Sequence, residues 1–150
     1  MAKKISTKLF YKIYSLVPRL CVDIIVKDKS GVVLSKRDIP PCKGMWHIPG
    51  GTIRYGENIE QAIDRITKYE MGLKVKIVKL LGVREYNKKS TIGQTISMVY
   101  LCKPVSGKLR GSKDGRDLRY FNKIPNNTIK EQKEMLYYYF KMKWFLDLIY

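Results

Sequence analysis

The chain has 150 residues, 45% of them hydrophobic, and a formal net charge of +17. That length suits one domain with a real core, with no second domain or repeat, and no apolar run reaches the ~18 residues that cross a bilayer. Cys21, Cys42 and Cys102 are odd in number and widely spaced with no C-x-x-C pair, which excludes a disulfide framework and a zinc site and predicts reduced thiols in a soluble, cytoplasmic protein. The positive charge favours an anionic partner such as nucleic acid, a nucleotide or a membrane surface. Lys and Arg number nine before residue 41, ten from 41 to 102 and eleven after, so no single basic stripe emerges and solvated surface lysines explain most of the excess.

The N-terminal stretch "MAKKISTKLFYKIYSLVPRL" scatters Lys through apolar residues; it reads as a short basic helix and lacks a signal-peptide pattern. Strands are predicted at "RLCVDIIVKD", "GVVLSKR", "VKIVKLLGVRE" and "TISMVYLCK", punctuated by Gly, Pro, Asn and Lys turns. A helix is predicted from about Asn58 to Glu70. A longer one starts near Thr128, where Thr128 and Glu131 have capping-box spacing, and its aromatics read as packing residues. The loop "VSGKLRGSKDGR", 105 to 116, lacks P-loop spacing and reads as an exposed hairpin turn. Strands mixed with helices predict an α/β or α+β sandwich, with the sheet order open.

One carboxylate is out of place. In "WHIPGGTIRYGENIEQAIDRITKYEMGL", Ile59, Ala62, Ile63 and Ile66 form an apolar stripe, and Glu70 falls on it. There its charge also opposes the helix dipole. The same stretch resembles the Nudix box, G-x5-E-x7-R-E-U-x-E-E-x-G-U with U aliphatic, through Gly51, Glu57, Arg65, Glu70, Gly72 and Leu73. It departs at two glutamate positions, occupied by Ile66 and Tyr69. With that defect, and with Asp23, Lys36, Arg37, Gly44 and Trp46 upstream, the chain is similar to the GDP-mannose mannosyl hydrolase branch.

The resemblance implies a single Nudix domain over 1–150: an α/β/α sandwich with a mixed sheet between helices, the box at about 51–73 and a closing helix at about 128–149. It implies hydrolysis of a nucleotide sugar, best GDP-mannose or a related GDP-hexose, by water attack at the anomeric carbon with release of GDP. One Mg2+, or Mn2+, would be held by the Gly50 carbonyl, Glu70 and Asp114; such a cation offsets the burial of Glu70 and its clash with the helix dipole. Arg37 would hold the leaving diphosphate through its forked donors. Asp23, inside an apolar run, would assist catalysis or form a buried ion pair.

Arg65 would orient a box carboxylate, Glu57 would be structural, and Arg54 would contact substrate where the branch has an Arg at the Thr52 position. His47 reads as a packed structural histidine. The general base of the branch, a His, maps onto Gly115, and Asp117 could replace it only with a shifted loop. A homodimer is compatible with the family and no membrane contact is expected. Two rivals stay open. One is a weakened Nudix domain that binds nucleotide or RNA, with a steep salt dependence; the other is a pyrophosphohydrolase cleaving a phosphoanhydride.

Overall fold

The computed structural model describes residues 4–86, 93–142 and Asp147. Its elements are α1 (Thr7–Tyr14), β1 (Arg19–Asp28), β2 (Gly31–Lys36), β3 (Trp46–His47), β4 (Gly50–Thr52), α2 (Ile59–Met71), β5 (Leu73–Tyr86), β6 (Thr95–Gly107), β7 (Leu118–Phe121) and α3 (Lys130–Phe140). The seven-stranded sheet has the order β3-β2-β1-β6-β5, with β4 also pairing β1 and β7 also pairing β2. Only β1 and β6 run parallel; the other pairings are antiparallel. This is the mixed α/β sandwich expected.

Strand β1 explains the layering. Residues Cys21 to Lys27 are all buried, as for a central strand covered on both faces. Val22, Ile24 and Val26 pack with Ile63, Ile66 and Met71 of α2. Ile25, on the opposite parity, packs with Val99 and Leu101 of β6 and with Met135, Leu136 and Tyr139 of α3. The two helices therefore cover opposite faces of the sheet.

Helix α2 starts where the periodicity placed it, and its cap is stronger than expected. The Asn58 side chain accepts from Gln61 N–H at 2.8 Å and Gln61 Oε1 accepts from Asn58 N–H at 2.9 Å, a reciprocal capping box. Its C-terminus is closed by Gly72 at φ 69°, with Gly72 N–H donating to Lys68 O at 3.2 Å. A Cβ at Gly72 would fall 2.7 Å from the Lys108 carbonyl oxygen and 2.6 Å from Arg110 Cγ. Gly72→Ala is therefore expected to cost about 1–3 kcal/mol in urea unfolding, since strain and backbone contact add; an unchanged midpoint would contradict it.

The C-terminal helix requires a correction. It begins at Lys130, not near Thr128; Ile129 is the N-cap residue and no side chain caps it, so the Thr128–Glu131 capping box does not form. Thr128 Oγ1 instead donates to Pro125 O at 2.8 Å. The segment is held extended against β3, where Trp46 N–H donates to Asn127 O and Ile129 N–H to Trp46 O. That pairing delays the helix. The helix ends at Phe140, short of the predicted 149; residues 143–146 and 148–150 lie outside the described residues. Strand β6 runs on to Gly107, so the predicted hairpin loop at 105 begins as strand; its Ser112–Gly115 bridge is the tight turn.

Candidate active site

Glu70 sits on the last turn of α2, half-buried, where its carboxylate accepts a hydrogen bond from the backbone of Gly50. Burial and the neighbouring Asp114 carboxylate push its pKa up to about 7, against the opposing pull of that hydrogen bond and of Arg65 and Arg37. The fold thus brings Gly50, Asp114, Arg37 and Arg65 around Glu70, from the start of β4, the β6–β7 loop, the residue after β2 and helix α2. Of the predicted residues, these five converge.

Asp114 is held there by its own loop. Its N–H donates to Ser112 Oγ at 3.3 Å and its carbonyl accepts from Asp38 N–H at 3.3 Å, while Asp38 Oδ2 accepts from Arg116 N–H at 2.8 Å. Arg37 follows β2 and donates from Nε to Pro41 O at 2.6 Å and from Nη2 to Pro40 O at 3.4 Å. Those two bonds fix the guanidinium plane. Three of its five N–H donors point elsewhere and can meet an anion.

Arg65 and Glu57 form the best-built pair of the region. Arg65 Nε donates to Glu57 Oε1 at 2.5 Å and Nη2 donates to Glu57 Oε2 and to Thr52 O, both at 2.9 Å. Glu57 Oε2 also accepts from Arg54 N–H at 2.9 Å. The hydrogen bond from Arg65 holds the Glu57 carboxyl below its usual range. This network pins the chain from Thr52 to Glu57 beside Gly50.

Ile66 and Tyr69 replace the other box glutamates in physically different ways. Ile66 is buried in the core under α2, whereas Tyr69 is half exposed. No group of three His, Cys, Asp or Glu side chains suited to a metal ion occurs among the described residues. The oxygen donors in this corner are the carboxyl of Glu70, hydrogen-bonded to the Gly50 backbone, and the carboxyl of Asp114, close enough to act on its charge. Oxygen donors of this kind are the type that a hard cation such as Mg2+ or Mn2+ prefers.

Asp23 lies opposite Gly50 in the β1–β4 register, where a Cβ on Gly50 would fall 2.9 Å from its Oδ1. It points to the sheet face opposite the Val22, Ile24 and Val26 stripe, and its Oδ2 accepts from Tyr86 O–H at 2.8 Å. Burial lifts its pKa to about 6, with Tyr86, Ser97, Arg19 and Arg84 pulling it down. The buried partner is therefore a phenol, and the two arginines act at longer range. Sequence reasoning passed over Tyr86, because the β5–β6 register that brings it near β1 contains three irregularities no pattern announces.

His47 is packed, with its Nδ1 2.9 Å from Ile48 O; burial, aided by Arg37, lowers its pKa to about 4. A Cβ at Gly115 would fall 2.3 Å from Ser35 Oγ and 3.2 Å from Lys36 O, so a side chain there would require the Ser35 hydroxyl to move. Asp117 is engaged in a forked pair with Arg119, at 2.8 and 2.9 Å. Arg54 lines a cavity next to the site, together with Thr52.

A mixed sheet covered by helices on both faces thus carries the glycine turn and, beside it, the capped helix on whose last turn Glu70 sits. The NUDIX domain model matches residues 17–123, and the chain belongs to the Nudix family. It is 33% identical over 147 residues to the ADP-ribose pyrophosphatase of Methanocaldococcus jannaschii, covering 95% of this chain and 85% of that one. It is 36% identical over 70 residues to the low-salt glycan biosynthesis protein Agl8 of Haloferax volcanii, covering 47% of this chain and 45% of that one. The fold superposes on the crystal structure of a MutT Nudix hydrolase from Burkholderia pseudomallei with a TM-score of 0.72 and 25% identity, covering 81% and 97% of the two chains.

Proposed function

We propose that this Nudix protein hydrolyses a nucleoside diphosphate linked to a sugar, with GDP-mannose or a related GDP-hexose as the favoured substrate. Water attacks the anomeric carbon, the bond from that carbon to the diphosphate oxygen breaks, and GDP leaves with the electron pair while the water gives up a proton to solvent. The carrying observation is the acidic corner, where Glu70 is hydrogen-bonded to the Gly50 backbone and feels the Asp114 carboxylate, with Ile66 and Tyr69 in the remaining box positions. One divalent cation there would neutralise charge on the diphosphate, which suffices for a leaving group that is already good. Arg37 adds its free N–H donors to the same diphosphate. With Gly115 where the mannosyl hydrolase branch has its His, attack at carbon, which asks least of a base, suits this site.

A second reading, cleavage of the phosphoanhydride, is favoured by one finding: the relative named an ADP-ribose pyrophosphatase aligns with 95% of the chain. Products separate the two. With GDP-mannose, ADP-ribose and other nucleoside diphosphate sugars plus Mg2+ or Mn2+, carbon attack yields free sugar and nucleoside diphosphate. Phosphorus attack yields sugar phosphate and nucleoside monophosphate. We expect the first set from GDP-mannose. Monophosphate products across the panel would establish the second reading, and absence of turnover with either metal would overturn both.

A further inference from the structure

A cavity of about 510 Å³ opens between α1 and the chain that follows β4. Phe10, Tyr11 and Tyr14 line it from the helix, and Arg54 and Tyr55 from the other side, with Lys4 at its margin. No residue of α1 is fully buried, and the Tyr55 ring is 98% exposed. These rings therefore border open space instead of filling core. Phe10 meets Tyr14 edge-on at 4.7 Å and Tyr11 at 5.9 Å, which fixes the three as one aromatic wall.

The lining carries two cations and no carboxylate. A ligand suited to it is flat, aromatic and attached to negative charge. Its position supplies the missing connection: the Arg65–Glu57 network anchors Thr52 O and Arg54 N–H, so the cavity floor is rigidly tied to the Gly50 turn. At roughly 3.3 Å per residue, Arg54 lies at most on the order of 13 Å from Gly50 along the chain, a reach that a diphosphate and a ribose can bridge. The volume is within the range of pockets that hold a small ligand. Helix α1 precedes the segment matched by the family model, residues 17–123.

We propose that the α1–Tyr55 cavity is the base subsite, in which the nucleobase of a nucleoside diphosphate derivative stacks on Tyr55 and the Phe10 wall while Arg54 and Lys4 attract its phosphate end. This rests on the substrate class proposed above and names the residues that would select a nucleotide over other diphosphates.

The test uses ligands without a phosphoanhydride to cleave. AMP, GMP and ribose 5-phosphate are titrated into the full chain by calorimetry or NMR, in the wild type, Tyr55→Ala and Phe10→Leu. Loss of one stacking ring weakens base binding on the order of tenfold. AMP and GMP should weaken by that factor in Tyr55→Ala, and in the same direction in Phe10→Leu, while ribose 5-phosphate is unmoved. Because the Tyr55 ring is exposed, its removal leaves the fold intact, which a thermal melt verifies. Unchanged AMP and GMP affinities, or an equal loss for ribose 5-phosphate, overturn the base subsite. Turnover of the sugar panel alongside such a result overturns the subsite alone; ring-dependent AMP binding without any turnover supports the subsite and overturns hydrolysis alone.

Discussion

Glu70→Gln is expected to lower turnover on the order of 10²- to 10³-fold, the scale seen when one electrostatic stabiliser of a developing charge is removed. Gln keeps the shape and helix propensity of Glu and removes the charge that would hold the ion. The same variant should change the response to metal: Mg2+ raises the wild-type melting midpoint by mass action and leaves the variant nearly unmoved. An equal Mg2+ shift in both proteins would remove Glu70 from the metal site.

The metal-free protein should respond in the opposite sense. A carboxyl whose folded pKa is raised contributes stability that is complete below its unfolded value and is lost as pH rises through its folded value. For Glu70 that window runs from about 4.5 to about 7, and for Asp23 from about 3.8 to about 6. Without metal, the wild type should be less stable at pH 8 than at pH 5. Glu70→Gln should recover about 1–3 kcal/mol of that loss at pH 8, after screening of a part-exposed group, and leave the Asp23 portion in place. Urea unfolding at both pH values in chelator measures the difference; a variant as pH-sensitive as the wild type would contradict the assignment.

Arg65→Ala is the second large effect, expected to cost about 2–4 kcal/mol at pH 7. Glu57 has a side chain only 7% exposed, and without Arg65 it keeps a single hydrogen bond, from Arg54 N–H. Removing one partner of a nearly buried pair leaves an uncompensated charge; the partial exposure of Arg65, 28%, reduces the full penalty. Glu57 has a depressed pKa, so its contribution is present above its unfolded value and lost as pH falls through the folded one. The gap between wild type and Arg65→Ala should therefore narrow at acid pH. A Glu57→Ala/Arg65→Ala double variant should be less destabilised than the sum of the singles, and additivity would show that the pair is not coupled. The Thr52–Tyr55 chain should loosen in the single variant, raising KM.

Much of the architecture is legible in the sequence because burial imposes periodicity. Cys21 to Val26 had to be a strand, and Ile59, Ala62, Ile63 and Ile66 had to line one helix face. The spacing of Gly51, Glu57, Arg65, Glu70 and Gly72 fixes the turn, the helix and its family. Glu70 was conspicuous because a charge on an apolar stripe needs a partner. The sequence could not say what else shares its corner, least of all a second carboxylate. Asp114 is 44 positions away, and only the pairing of β7 with β2 carries its loop back to Glu70 and Arg37.

Tertiary structure also decided against local signals. Thr128 and Glu131 have capping spacing, yet backbone pairing of the preceding segment with Trp46 outcompetes a side-chain cap. Asp23 obtained a tyrosine from a bulged strand, a register no local pattern encodes. Gly115 lies against the hydroxyl of Ser35, eighty residues earlier. Local periodicity is set by contacts within a turn or a pleat, and residues within that range were determined by the sequence alone. The site is made of contacts between distant segments, whose geometry exists only once the sheet has ordered its strands.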